Sequence, residues 1–524
     1  MNKISLVTMA FLMSGLAQAE VTRQQHPTEF VVKFKDGISK EFKSSWMSKA
    51  QTKKITKDGT FVVSLPKMAK ASEALKDIEN LSDIDWAAPN YIYEGDAREA
   101  FTPNDPQFEK QRHHMIIKST EAWGKTLGQA EVVVAVADDG FDLAHEDMTS
   151  SYYVNPNEIP GNGIDDDNNG YIDDTKGWDF NEADNDPSSD SSNGAHGTHV
   201  AGIIAAGFDD GVGVTGISPN VKVMPLKFYG DRRWTSAMVY ETYAYAADNG
   251  AKVLTVSYNI DGFANDEVFA RALDYVDTKG VILFNSAGNG NAHQSARTKF
   301  GKVLLVASTK TKVGSEDERS SFSNYGVDVD IAAPGDPIYS HGRTNRYVNM
   351  SGTSMAAPNA AAVAGYIWST FPEYTREQVV QKLLTSTDNI DSINNSRYTN
   401  KLGAGRINAS LAVDEEANFT TVRQVWFEDG KLNIHFRGLV SAVTGRSAIR
   451  VERISQRGAE IIETEEQSAL EIGQSVMRIR LTDSQAGTYR IHVSADQMQD
   501  PFGRAIDGDN DGLEGGNFVQ TIEL

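Results

Sequence analysis

A chain of 524 residues, 40% of them hydrophobic, is longer than one hydrophobic core usually serves, so more than one domain is expected. The net charge is −22 and is unevenly placed: residues 1–95 carry 13 Lys/Arg and 11 Asp/Glu, whereas residues 96–524 carry 37 and 61. So acidic a body argues against nucleic-acid binding, and a chain without cysteine cannot use disulfides to hold an exported form together.

Taken in order, Lys3, the apolar run Ile4 to Leu16 and the small-residue site Ala17-Gln18-Ala19 predict a secretory signal over residues 1–19. That run is too short and wrongly flanked for a membrane span, and no other segment approaches about twenty apolar residues. An exported protein, extracellular or periplasmic and without a transmembrane anchor, is therefore expected. Residues 20–98 read as a separate small α+β unit: strands at Phe30–Phe34 and Phe61–Leu65, a helix over Ala69–Asn80, and a last strand at Ile84–Tyr93. The polar stretch Glu94–Ala100 reads as a linker.

Residues 99–414 form the next predicted domain. Val132–Ala137 is a fully apolar strand that ends in Asp138-Asp139-Gly140, and Val281–Phe284 is a second buried strand running into Asn285-Ser286-Ala287-Gly288-Asn289. The 58-residue gap from Asp138 to His196 holds Asp165-Asp166-Asp167-Asn168-Asn169-Gly170-Tyr171-Ile172-Asp173-Asp174. Asp165, Asp167 and Asn169 fall at positions 1, 3 and 5 of a calcium loop, Gly170 at the sharp turn, Tyr171 at the carbonyl position and Asp173 at position 9. Position 12 is Lys176 rather than the usual Glu, which leaves the last ligand open, with Asp174 a candidate. A merely solvated acidic loop is the plain alternative. His196 enters a small-residue helix at Gly194-Ala195-His196-Gly197-Thr198-His199, and Ser354 sits in Gly352-Thr353-Ser354-Met355-Ala356-Ala357-Pro358 ahead of an Ala-rich run. His199 is read as packing, and His113, His114 and His293 as surface residues. From residue 415 to 524 short alternating strands separated by turn residues (Val425–Phe427, Leu432–Phe436, Ile449–Val451, Val476–Leu481, Tyr489–Val493) predict an all-β sandwich.

A serine beside a helix start is, by itself, an ordinary cap. A serine nucleophile needs a base to take its proton and a group to orient that base. Both are available, in the chain order Asp…His…Ser that belongs to the subtilisin arrangement. On these three segments, with the start Thr102-Pro103-Asn104-Asp105-Pro106 and Glu121-Ala122-Trp123, the chain resembles the subtilisin-like (S8) serine peptidases, thermitase-like branch, over about residues 102–411.

The resemblance implies a subtilisin-like, doubly wound α/β domain with a mostly parallel sheet, and an endopeptidase acting on proteins or peptides. It implies Ser354 as nucleophile, His196 as general base and then acid, and Asp138, two residues before Gly140, as the orienting acid. Asn289 would supply the oxyanion donor, and Asn285 lies too early in the motif. Ser257, Tyr258 and Asn259, with Ser286, Ala287 and Gly288, would bind substrate. Asp105, Asp147 and Asp210 resemble one structural calcium site; Asp179 and Asp186, with Asp184 and Asp190, resemble another. Residues 20–98 would be an inhibitor-type propeptide, the chain's own intramolecular inhibitor, and residues 415–524 resemble bacterial Ig-like modules. A monomer is expected. Three departures stand out: Asp139 where Thr or Ser is usual, Tyr258-Asn259 where Leu-Gly is usual, and Asn359 where His is usual. The first two keep open a rival reading, a catalytically impaired subtilase fold that binds peptides or surfaces, while Asn359 is read as packing.

Overall fold

The computed structural model describes residues 22–35, 51–54, 60–64, 71–78, 81, 83–94, 99–189, 195–230, 234–258, 260–263, 265–293, 301–428, 430–445, 448–456, 458–464, 469–470 and 472–524. The expected signal segment lies outside them. The chain divides into two units, Met1–Glu99 and Ala100–Leu524.

In the first unit, alternation of Phe30, Val32 and Phe34 along a strand puts all three on one face, where they are buried with Phe61, Val63, Leu75, Ile78 and Ile84. The strand is longer than its apolar stretch: β1 spans Thr22–Phe34 and pairs antiparallel with β3 (Thr60–Ser64) and β4 (Ile84–Glu94). β2 (Gln51–Lys54) completes a sheet of order β2-β3-β1-β4, and the helix Ala71–Ile78 packs on β1 and β4.

The second unit is built on a nine-stranded sheet. In chain order its strands are β5 (Val132–Asp138), β6 (Trp178–Asp179), β7 (Val221–Lys227), β8 (Val253–Val256), β9 (Ile282–Ser286), β10 (Val303–Lys310) and β11 (Ile331–Asp336), then β14 (Thr387–Asp388) and β15 (Arg406–Ile407) after the hairpin β12 (Ile338–His341) and β13 (Tyr347–Met350). The spatial order is β14-β15-β11-β10-β9-β8-β5-β7-β6, and the edge pair β14/β15 runs antiparallel while the other pairs are parallel. Strands this apolar are buried on both faces. Val132, Val134 and Val136 of β5 join the cluster under the helices Ala195–Ala205 and Thr353–Thr370, whereas Ala135 and Ala137 join the cluster under Ser236–Asp248 and Glu267–Thr278. Helices therefore cover both faces, the expected doubly wound arrangement. The Ala-rich helix Thr353–Thr370 is buried along nearly its whole length, because short side chains let it lie close against the sheet. Among the described residues no helix is long and apolar enough to cross a membrane.

After Asp414 the strands are short and antiparallel. β16 (Thr421–Glu428), β17 (Lys431–Arg437) and β21 (Val476–Arg480) form one sheet; β20 (Gly458–Ile462), β19 (Ile449–Ser455), β22 (Thr488–Ser494) and β24 (Asn517–Glu523) form another, and β18 (Ala442–Val443) pairs with β23 (Met498–Gln499). Leu432, Ile434 and Phe436 from the first share an apolar cluster with Val451, Tyr489 and Ile491 from the second. This module docks on the amino-terminal ends of β10, β11 and β15. Lys302 N–H donates to Ile472 O at 2.6 Å, Arg478 pairs with Asp328 at 2.7 Å, and Arg423 pairs with Asp391 at 2.8 Å and also reaches Gly403 O. Gly473, at φ +78°, lies so close that a Cβ would stand 2.5 Å from Val303 O.

Candidate functional site

Asp138 closes β5 at the carboxyl end of the sheet and is only 3% exposed. Its Oδ1 lies 2.7 Å from His196 Nδ1 and accepts the Asp139 N–H at 2.8 Å. The imidazole stands on the first turn of the helix Ala195–Ala205, and the next residue shows why that turn reads His-Gly: a Cβ on Gly197 would sit 2.5 Å from Gly140 O and 3.0 Å from Asp138 Cβ. Asp139 takes a different task from Asp138. Its carboxylate accepts the Gly197 N–H at 2.9 Å, where a carboxylate satisfies a free helix donor and meets the positive end of the helix dipole. Burial pulls the His196 pKa down, but the charge and hydrogen bond of Asp138 and the charge of Asp139 outweigh it and hold the imidazole up at about 9.

The helix Ala195–Ala205 packs against the helix Thr353–Thr370, which carries Ser354 on its first turn. Thr353 organises this turn. Its N–H and its hydroxyl both donate to Asn289 Oδ1 at 2.9 Å, and its hydroxyl accepts the Gly288 N–H at 3.1 Å. With the Asn289 carbonyl oxygen engaged on that side, the amide nitrogen faces the other. A Cβ built on Gly352 would lie 3.5 Å from Ser354 N and 3.6 Å from Asn289 Nδ2, so both donors border one space. The Ser354 hydroxyl rests 3.5 Å from Ser257 O; among the described residues it makes no hydrogen bond to His196, a contact that in resting enzymes often forms only with substrate.

Of the expected substrate-binding residues, Asn259 lies outside the described residues. Ser257 donates to Ser354 O at 3.4 Å, Ser286 ends β9, and the Ala287 N–H donates to Val306 O at 2.9 Å. Gly288 takes φ +100°, a conformation that favours glycine. Tyr258, expected among the substrate-binding residues, packs its ring among Phe228, Trp234 and Phe263, and its hydroxyl lies 2.6 Å from that of Tyr243. Apolar neighbours and one buried partner draw the ring inward. Asn285 is fully buried and its amide donates to Val256 O and Tyr258 O, so it ties β9 to the end of β8.

Among the described residues before Asp414, two acidic groupings have the donor chemistry of a calcium site. In the first, Asp105 accepts the N–H groups of Asp209, Asp210 and Gly211, and Asp147 Oδ2 accepts Val214 N–H at 2.8 Å. Asp147 Oδ1 is buried without a partner, and a Cβ on Gly207 would meet both it, at 2.9 Å, and Asp210 Oδ2, at 2.2 Å. Burial, joined by the charge of Asp210, raises Asp105 to about 6 and Asp147 to about 7. A cation would relieve both, so these residues fit one. In the second, Asp165 and Asp167 fold their loop back by accepting the N–H of Asn169, and the missing acid arrives from upstream: Glu158 lies within 4.8 Å of both. Glu158 accepts the N–H of Asp166, Asp167 and Asp173. The template looks only downstream of its first Asp, so it could not find Glu158.

Other loop residues depart from expectation. Asp173, at φ +56°, turns away and accepts the N–H groups of Asn162 and Gly163, while Asp174 is fully buried and holds Asn155, Asn169 and Tyr245. Tyr171 packs its ring on Trp178 and Tyr245 and donates to Glu241. Among the described residues Asp179 joins no calcium grouping: it is 1% exposed and grips the Lys227 ammonium at 2.8 Å across the β6/β7 pair. Asp184 and Asp186 are exposed, and Asp190 lies outside the described residues. An ammonium thus supplies the positive charge that the resemblance assigned to a cation. The histidines also need correction. His113 and His114 are buried, with rings 4.2 Å apart; His114 reaches Ser119 and Thr215 O, and burial pushes it down to about 3. His199 is buried on Ile338 O and Val348 O, as expected for packing, and His293 is exposed. Asn359, fully buried on Pro334 O and Met355 O, is a packing residue.

Known proteins share this pattern. The subtilase family (peptidase S8) matches residues 129–405. A thermophilic serine proteinase from Bacillus sp. (strain AK1) is 30% identical over 348 residues, 65% of this chain and 78% of its own length. Thermitase from Thermoactinomyces vulgaris is 34% identical over 274 residues, 51% of this chain and 86% of its own length. Among solved structures, a protease from Pseudoalteromonas arctica PAMC 21717 is 26% identical, covers 60% of this chain and 98% of its own, and superposes with a TM-score of 0.45. With more than half of its residues in the family pattern and an Asp–His pair facing a serine-bearing helix, the chain belongs to the subtilase family, on the thermitase-like side, and is a serine endopeptidase.

Proposed function

We propose that the chain is made as a secreted, self-inhibited zymogen and that its mature, calcium-stabilised form hydrolyses peptide bonds through an acyl-enzyme. The observation that carries the catalytic reading is the 2.7 Å Asp138–His196 contact, on a helix packed against the one whose first turn bears Ser354 and is clasped to Asn289 by Thr353. Ser354 Oγ attacks the scissile carbonyl carbon while His196 Nε2 takes the hydroxyl proton. Asp138 holds the Nδ1–H and stabilises the imidazolium. The carbonyl oxygen, now negative, is met by the Ser354 N–H and the Asn289 amide. The C–N bond then breaks as His196 returns the proton to the leaving amine, and water repeats the sequence on the ester to free the acid. The test is a fluorophosphonate probe added to the matured protein: it should attach to Ser354 and stop casein hydrolysis. An inert, unlabelled protein would favour the peptide-binding alternative.

Residues 20–98 supply the propeptide reading, supported by the first unit having a sheet and core of its own. The signal-like stretch at residues 1–19 supports export. N-terminal sequencing of the mature protein should then begin close to residue 99.

Calcium is assigned a structural role. Asp105, Asp147 and Asp210 would hold one ion, and Glu158, Asp165, Asp167 and Asn169 a second; bound calcium would neutralise carboxylates that otherwise repel. At a hundredfold excess over Kd each ion adds about 2.7 kcal/mol, within the range of a disulfide, typically about 2–4 kcal/mol. Chelation should therefore lower the melting temperature by several degrees per site. Asp147→Asn should blunt that response; an identical melt with and without chelator would refute the assignment.

A further inference from the structure

The loop Ala287–Ala292 that carries Asn289 is poorly suited to hold a donor still by itself. It contains Gly288 at φ +100°, Gly290, and Asn291 at φ +51°. Gly and left-handed residues leave such a turn many alternatives, yet an oxyanion donor must be placed to a fraction of an ångström. The Thr353 clasp fixes the Asn289 side chain but touches the loop backbone only at Gly288.

A second residue spans the loop from behind. Asn324 is 7% exposed and lies on the connection between β10 and β11. Its Oδ1 accepts the N–H groups of Gly290 at 3.0 Å and Ala292 at 2.8 Å, its amide donates to Ala287 O at 3.0 Å, and its own N–H donates to Gly288 O at 2.8 Å. Four hydrogen bonds therefore land on both sides of Asn289. Asn324 is itself held firmly. The Ser323 hydroxyl donates to Asn324 O and accepts the Ser308 N–H of β10, both at 2.9 Å. Arg319 reaches Ser323 O, donates to Asn291 Oδ1 at 2.8 Å and stacks on the Tyr398 ring at 4.3 Å.

We propose that Asn324 is a positioning residue for catalysis, fixing the Ala287–Ala292 backbone so that the Asn289 amide meets the developing oxyanion. This rests on the reading of Asn289 and the Ser354 N–H as the oxyanion donors, and the two fail on different results. Asn289→Ala tests that reading: a peptide-substrate kcat within about twofold of wild type would end it. If it holds, Asn324→Ala should lower kcat about tenfold with KM within about twofold, and weaken a peptide boronate, which forms a tetrahedral adduct on Ser354, by a similar factor. In an Asn289→Ala background the same change should lower kcat by less than about twofold, because the group it positions is gone. A purely structural residue would lower the melting temperature without this split or this coupling. Unchanged kcat in Asn324→Ala, a rise confined to KM, or a full tenfold loss repeated in the Asn289→Ala background would each overturn the proposal. Should Asn324→Ala fail to fold, Asn324→Thr keeps one polar contact, and the same outcomes apply: kcat down severalfold at unchanged KM supports it, and unchanged kcat overturns it.

Discussion

Ser354→Ala is expected to leave a folded protein that no longer hydrolyses casein, with a loss of roughly 10⁴-fold or more in kcat/KM. The fold has little stake in the hydroxyl, whose hydrogen bond is a long one, 3.5 Å to Ser257 O. Everything else at the site survives the change. The Ser354 N–H belongs to the backbone, Thr353 still clasps Asn289, and Asp138 still holds His196. Peptide affinity should therefore persist while turnover disappears. If the precursor cuts itself, the variant should also accumulate with residues 20–98 attached. Casein hydrolysis that survives the substitution would show that another group is the nucleophile.

The second large effect concerns pH. His196 accepts the Ser354 proton only when its imidazole is neutral, and Asp138 and Asp139 together hold it up at about 9. The sign follows directly: below that value the base is mostly protonated and idle, so kcat/KM should climb as pH rises, by about tenfold or more between pH 7 and 9. Asp139→Asn separates the two carboxylates. Its amide oxygen can still accept the Gly197 N–H, which keeps the helix capped, but the negative charge is gone. The ascending limb should then move to lower pH while the plateau stays nearly constant. A limb that does not move would show that Asp139 acts as a cap alone.

How far this was legible in the sequence depended on how local each interaction is. Asp138, His196, Asn289 and Ser354 each sit in a short stretch whose strand end, helix start or turn is set by immediate neighbours. The apolar runs of β5 and β9 likewise announce a doubly covered sheet, and the alternating stretches after residue 415 announce antiparallel strands. Interactions between distant segments left no such mark. Asn324 lies 35 residues beyond Asn289, and nothing around it points back to that loop. Lys227 meets Asp179 only because β6 and β7 are neighbours in the sheet, and Glu158 stands before the acidic loop it completes. Tyr258 is assigned to substrate by its place in the motif, and the motif does not show that its ring turns inward onto Phe228, Trp234 and Phe263. The His113-His114 doublet read as surface because polar pairs usually are; here Phe108 and Trp123 enclose His114, and carbonyl and hydroxyl partners replace its water.

The docking of the β module at the starts of β10, β11 and β15 gives the second unit two poles. Chemistry occupies the pole where the parallel strands finish; the module occupies the pole where they begin. Among the described residues, the module's contacts with Lys302, Asp328 and Asp391 lie at that second pole. Cargo fused to the module would therefore travel on the far side of the catalytic sheet from the bond being cut.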